Sequence, residues 1–416
     1  MPVTDTADAT ETADAADGAA AGEAVTGVPW RSPTLVAVLA ATLITPMDVP
    51  LVSPALTATQ SAFGVSPARA GLLVTAYAVP GILLAPVIGA LADRLGRRYV
   101  LAGCLALFGT AGTAVAFTSD FTVALAFRVV QGVAAGSVLS ALAMTVVGDR
   151  FDGRQHDAVM GITAGTLSLG TAVYPLLGGL LAARAWNAPF LLYALAIPVA
   201  GLVLVALDDA DATAEASPDV SARGYVRDAL HAVPTRRLLG LYGVMFVSFA
   251  LLFGGLYTAL PFHLADAFGF TPTAVGLVTS VVLLVTALVS TANGRLAARV
   301  GTRILLVAGF ACYAVGLLGV GLATGVPLLV GSLLLFGAGS GLVTPTLFAG
   351  LSALAPDRVR AGVMTLQTTT IGASQAVGPA AFTLLGGAVG YRPTILGASA
   401  GAALCTAALA VLARAG

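Results

Sequence analysis

The residues best equipped for chemistry in this chain are an acid and a base set in apolar sequence. Asp48 lies in Thr45-Pro46-Met47-Asp48-Val49-Pro50, with Pro54 one turn further on. Arg128 lies in Arg128-Val-Val-Gln131-Gly132. A carboxylate inside a membrane is costly unless it is paired or protonated, so Asp48 is a candidate to carry or sense a proton. A nearby guanidinium favours its ionised form and burial opposes it, so a small rearrangement can tip the balance. Gln131 shares a helix face with Arg128 at i, i+3 and is placed to tune the pair. Prolines at 46, 50 and 54 remove backbone donors, which is tolerated in a membrane only where the chain faces protein or a watery cavity. Tyr174, further along the chain, offers a hydroxyl and a ring face to a ligand.

The elements that must hold these groups follow from composition. Of 416 residues, 58% are hydrophobic and 10% charged, against about 25% charged in a soluble domain. The mean hydropathy is +0.95. Too little polar surface exists to cover a water-soluble body. All 20 basic residues are Arg. With no Lys, Walker-type phosphate binding and Schiff-base chemistry are excluded. Cys104, Cys312 and Cys405 lie in separate apolar runs, without the spacing of a metal site.

A spanning helix needs about 20 apolar residues. By that measure spans are expected near 34–56, 70–91, 99–118, 122–146, 159–183, 189–207, 238–262, 273–293, 303–323, 328–350, 362–387 and 391–413. Residues 1–33 read as a disordered acidic tail without signal-peptide character. Residues 34–207 and 238–416 read as two six-helix bundles joined by a charged linker, 208–237. The expectation is an all-α membrane protein, twelve transmembrane helices in two pseudo-symmetric bundles. Sixteen arginines fall on the face that carries both termini; the positive-inside rule puts that face, and both termini, in the cytoplasm. Asp48 then sits about 21 Å up the first span, and Arg128 about 9 Å below the far end of the fourth, at similar depth.

The two halves share sequence. Gly89, Leu91, Ala92, Arg94, Gly96 and Arg98 align without gaps onto Gly294, Leu296, Ala297, Arg299, Gly301 and Arg303, at an offset of 205. Half-chain repetition is what a transporter built from two parallel bundles predicts.

Three motifs carry a resemblance. Gly89-x-Leu-Ala-Asp93-Arg94-x-Gly96-Arg97-Arg98, between spans two and three, matches the signature of the major facilitator superfamily in that loop. The resemblance implies that Asp93 bridges to the other bundle and helps lock one access state, with Arg150, Arg154 or the start of span eleven as partners. Arg128-x-x-Gln131-Gly132 resembles the family's fourth-span motif, whose Arg is associated with proton coupling. Gly161, Gly170, Pro175, Gly178 and Gly179 keep the spacing of the fifth-span motif of exporters that exchange substrate for protons, with Tyr174 in place of the usual Gly before the Pro. The chain is most similar to the twelve-helix drug:proton antiporters.

These readings converge on a plasma-membrane transporter without catalytic, metal or cofactor chemistry, driven by the proton gradient. Its expected partners are protons, a small-molecule substrate and the bilayer, with no nucleic acid, and it is expected to be a monomer. Export of a small, largely apolar compound is the leading expectation. Proton-coupled import of a metabolite or organic anion, and a non-transporting membrane sensor, stand as alternatives.

Overall fold

The computed structural model of the chain describes residues 28–134, 136–207, 236–354 and 360–414, and every regular element among them is helical. The expected tail and linker fall almost wholly outside these residues. The first helix, α1, runs as Pro33–Met47 and Val49–Phe63, bent by 48° at Asp48. It is followed by α2 (Pro67–Leu95), α3 (Arg97–Phe117), α4 (Phe121–Val133 and Gly136–Arg150), α5 (Gly153–Ala182) and α6 (Ala188–Ala206). The second half comprises α7 (Arg236–Ala250 continuing through Leu251–Ala259 and Leu260–Phe268), α8 (Pro272–Val300), α9 (Thr302–Leu322), α10 (Val326–Leu354), α11 (Arg360–Val389) and α12 (Tyr391–Arg414).

Among the described residues, nine helices are long and apolar enough to cross a membrane, and ten if bent α1 counts as one. The two expected spans that miss the criterion are α4, described in two pieces, and α11. Helix α11 carries the polar run Gln367, Thr368, Thr369, Thr370, Ser374 and Gln375. Ser374 of that run is buried and donates to the Phe246 carbonyl of α7, so hydropathy alone understates this helix. Several helices extend past their apolar runs, because polar caps and charged last turns reach beyond the hydrocarbon. On α12, Leu404 and Leu412 are 73% and 67% exposed. Apolar side chains on the outside are what a lipid-facing surface requires.

The 205-residue repeat is physical as well as textual. Gly64 and Gly269 end α1 and α7 with φ of 61° and 63°. Ser66 accepts from the backbone N–H of Arg69, and Thr271 from that of Ala274, each at 3.3 Å; Pro67 and Pro272 follow them. These are N-cap and N1 signals, repeated. Gly96 and Gly301 turn the chain at the far ends of α2 and α8, with φ of 89° and 84°, a region L side chains rarely enter.

The halves meet chiefly along two helix pairs, α2 with α11 and α5 with α8, with smaller contacts from α1 to α7 and α8. In the second pair the backbones touch. A Cβ on Gly179 would overlap the Pro272 carbonyl, and one on Gly276 would overlap the Pro175 carbonyl. Small residues permit this approach, and without water as a driving force close packing is the main source of helix association in lipid.

Candidate functional site

The site is built around the break in α1. After Ile44 the helix tightens to a 3-10 turn over Thr45–Met47, pauses at Asp48, resumes over Val49–Val52 and tightens again at Ser53–Ala55. The three prolines that supply no N–H lie in this stretch. Two tyrosines from other helices serve its carbonyls. Tyr174 of α5 donates to Leu43 O at 2.7 Å. Tyr193 of α6 donates to Met47 O at 2.8 Å, with Asp48 O at 3.1 Å. Tyr174 therefore uses its hydroxyl proton on the backbone of α1.

The small residues of α5 make room for the same segment. A Cβ on Gly178 would overlap the Leu51 carbonyl, and one on Gly170 would stand 2.8 Å from Pro46 Cγ. Gly179, one position on, faces α8 instead. Gly161 has nothing within 4 Å of where its Cβ would be, so its expected packing role is not seen. Thus the motif serves two contacts: Gly170 and Gly178 hold α1, while Pro175 and Gly179 hold the other half.

Arg128 is fully buried two turns into α4, a helix started by Asp120, whose carboxylate accepts from Thr122 N at 2.6 Å and Val123 N at 3.3 Å. The Arg128 Nε donates to Leu73 O of α2 at 3.0 Å. Its Nη1 donates to Gln131 Oε1 at 2.5 Å and to Tyr193 OH at 3.3 Å. The guanidinium lies 4.6 Å from the centroid of the Tyr77 ring, and a desolvated cation–π contact contributes about 2 kcal/mol. Gly132 lets α4 close on α2, because a Cβ there would overlap the Tyr77 carbonyl. Arg128 Nη2 and Gln131 Nε2 are buried without a hydrogen-bond partner.

The expected meeting of Asp48 and Arg128 is thus indirect. Both belong to one network, joined through the Tyr193 hydroxyl, but that link reaches the backbone of Asp48. Its carboxylate points elsewhere: Oδ2 accepts from Gln375 Nε2 of α11 at 3.3 Å. Tyr193 is a residue sequence reading passed over, since a tyrosine in an apolar span announces nothing by spacing. Gln375 is one residue of the polar run on α11 and carries no charge to single it out. Elsewhere in the second half, Tyr242 donates to Val363 O at 2.9 Å, and Ser280 accepts from the backbone N–H of Leu176 at 3.0 Å across the α5–α8 contact.

At the arginine-rich face the motif supplies a turn and several arginine contacts. Gly96 makes the turn, but nothing stands within 4 Å of a Cβ at Gly89, so only one of the two glycines is sterically required. Asp93 and Arg154 are exposed. An ion pair here joins Arg97 to Asp149, at the end of α4 beside Arg150. Arg98 reaches the Leu204 carbonyl of α6. Arg94 and Arg150 also have partners. The Arg97–Asp149 pair and the bond from Arg98 to Leu204 tie α3 to α4 and α6 within the first half.

Comparison with known proteins bears on what this arrangement is for. The family described as the Major Facilitator Superfamily matches residues 38–262 and 242–415. The chain is 30% identical over 165 residues to the Bacillibactin exporter of Bacillus subtilis, covering 38% of this chain and 40% of that protein. It is 34% identical over 107 residues to Multidrug transporter protein MdtP of Bacillus subtilis, covering 26% and 20%. With Quinolone resistance protein NorA of Staphylococcus aureus it shares 28% over 144 residues, covering 35% and 37%. The matched stretch thus spans less than half the length of each of these relatives. Among solved structures, an inward-facing, unoccupied bacterial homologue of the human lysosomal transporter Spinster superposes with a TM-score of 0.77 at 15% identity, over 93% of this chain and 98% of that one. The human organic anion transporter MFSD10 gives 0.67 at 21% identity, over 92% and 100%. Likeness at such identities establishes the fold.

Proposed function

The chain belongs to the Major Facilitator Superfamily, and from that premise we propose that it is a secondary transporter exporting a small, largely apolar organic compound in exchange for protons by alternating access. The observation that carries this reading is the hydrogen bond from Gln375 to the Asp48 carboxylate. Asp48 sits at the break of α1 in the first half, and Gln375 sits on α11 in the second. An ionised carboxylate is a strong acceptor for an amide N–H, about twice as strong as a neutral one. Protonation weakens that bond and leaves a neutral acid that crosses a low-dielectric interior at smaller cost. Binding and release of one proton therefore changes how firmly the halves are held in this arrangement, which is the differential interaction any coupled conformational change requires.

Arg128 supports the choice of substrate. The guanidinium is fully buried and engages Leu73, Gln131, Tyr77 and Tyr193. It is not displayed as an anchor for an anion, which favours an apolar or cationic compound over the organic-anion alternative. The printed functions of the relatives, an exporter, a multidrug transporter and a quinolone resistance protein, favour outward transport. With the arginine-rich face in the cytoplasm, the two bundles, 34–207 and 238–416, work as rigid bodies in a plasma-membrane monomer, and the expected roles of Gln131 and Tyr174 become those of supports for Arg128 and α1.

Everted membrane vesicles with an imposed pH gradient test this reading, using a fluorescent lipophilic dye as the transported probe. The wild-type chain accumulates dye when the interior is acid. Asp48→Asn, expressed at the same level, does not. Equal gradient-driven accumulation by the variant would sink Asp48 as the proton site.

A further inference from the structure

We infer that Tyr193 is a positioning residue that ties Arg128 to the break in α1 and thereby keeps the guanidinium off the Asp48 carboxylate; this rests on the proposed proton role of Asp48. Tyr193 lies in a 3-10 turn, Leu192–Leu195, at the start of α6 and is fully buried. Its ring stands edge-on to Phe108 at 5.3 Å, with Phe190 at 6.4 Å. The packing leaves the hydroxyl at the meeting point of three helices. Its one proton serves the Met47 and Asp48 carbonyls, and its oxygen accepts from Arg128 Nη1. A phenol can both donate and accept, so one atom satisfies a cation and the broken backbone together. A phenylalanine would fill the same volume and do neither.

The base of this ring has room because a glycine stands against it. Gly112 of α3 lies directly beneath, and a Cβ there would overlap both the Gln131 amide nitrogen and the Tyr193 ring. The ionisable groups around Asp48 come from three helices, Arg128 on α4, Tyr193 on α6 and Tyr257 on α7, while Tyr174 on α5 bonds the Leu43 carbonyl further down α1. The neutral Gln375 on α11 completes the set. Arg128 is the one cation in that set. Its Nη2 already has donors without a partner. Removing the Tyr193 hydroxyl takes a partner from Nη1 as well, and a carboxylate whose charge Arg128 already influences is the compensation we expect the guanidinium to seek. An adjacent cation favours the ionised acid, so the loss should make Asp48 harder to protonate.

Infrared titration of the full chain in phosphatidylcholine vesicles reads this without a substrate. The carbonyl band of a protonated carboxylic acid, assigned to Asp48 by its disappearance in Asp48→Asn, gives a pH midpoint. In Tyr193→Phe the midpoint is expected to fall by about one pH unit, a tenfold loss of proton affinity. Gly112→Ala, which pushes on the same ring and on Gln131, is expected to shift it in the same direction. Phe190→Leu loosens packing beside Tyr193 and is expected to lower thermal stability with the midpoint in place. A midpoint unchanged or raised in both Tyr193→Phe and Gly112→Ala overturns the inference while leaving Asp48 as the proton site. If Asp48→Asn removes no titrating band, the proton site itself is wrong and the inference falls with it.

Discussion

The amide of Gln375 donates to the carboxylate of Asp48 across 327 residues of sequence, at 3.3 Å, from the second half of the protein to the first. The same interface carries a hydrogen bond from Thr75 to the Ala376 carbonyl at 3.1 Å, which involves backbone and no ionisable group. Under the proposed mechanism the Asp48 bond responds to a proton, whereas its neighbour has no group to titrate.

Gln375→Leu removes the donor and keeps similar bulk. A hydrogen bond to a charged group contributes about 1.5–3 kcal/mol, so gradient-driven accumulation of dye in everted vesicles should fall by about tenfold or more. Thr75→Val, which breaks the neighbouring bond, should have a much smaller effect. Equal losses in the two variants would show that the contact matters as packing and that no special coupling belongs to Asp48.

Substitution at the α5–α8 crossing should be severe for a purely steric reason. A methyl group on Gly179 collides with the Pro272 carbonyl and crowds the Cα of Gly276, and backbone cannot rotate away as a side chain can. Overpacking of this kind costs about 1–3 kcal/mol. Gly179→Ala should lower the melting temperature of the detergent-solubilised protein, whereas Gly161→Ala, with open space at that position, should leave it within error. Melting curves for the two variants, run side by side, check the contrast.

At the far face from the termini, Asp120 caps α4. The backbone N–H groups of Thr122 and then Val123 hold its carboxyl below the usual value of 3.8. A carboxylate with a depressed folded-state value contributes stability that is present above the unfolded value and lost as pH falls through the folded one. Asp120→Ala should therefore reduce thermal stability at neutral pH, with the difference from wild type shrinking as the pH drops below the ordinary carboxylate range. Asp120→Asn, which also caps helices well, should restore most of the neutral-pH stability. A deficit that persists unchanged at low pH would assign the effect to something other than the charged cap.

How much of the site was legible in the sequence depended on what made each residue conspicuous. Asp48 and Arg128 stood out because a charge in an apolar run is expensive and has to be explained. Gly170, Gly178 and Gly179 stood out by motif, and the structure shows what each touches. Arg97 was conspicuous for the same reason, yet its partner, Asp149, was not, because an acid at a helix end beside Arg150 looks like ordinary surface. Tyr193 gave no signal at all. Its hydroxyl matters only because folding brings the start of α6 to the break in α1, and the sequence separation from Met47 of 146 residues carries no trace of that.

From the order of residues alone came the membrane-embedded all-helical class, the helix spans with some ends short by as many as seven residues, the halved repeat and the family likeness. These follow from hydropathy, turn chemistry and repetition, which are local or periodic properties of a chain. Tertiary structure decided where the charges point. A helix interrupted by three prolines can direct Asp48 to either side, and a long guanidinium can reach several acceptors. Packing chose among them: small residues on α5 admit α1, Gly112 admits Tyr193, and α11 presents Gln375 to the carboxylate. Side-chain direction is set by contacts between distant segments, and only the folded chain contains those contacts.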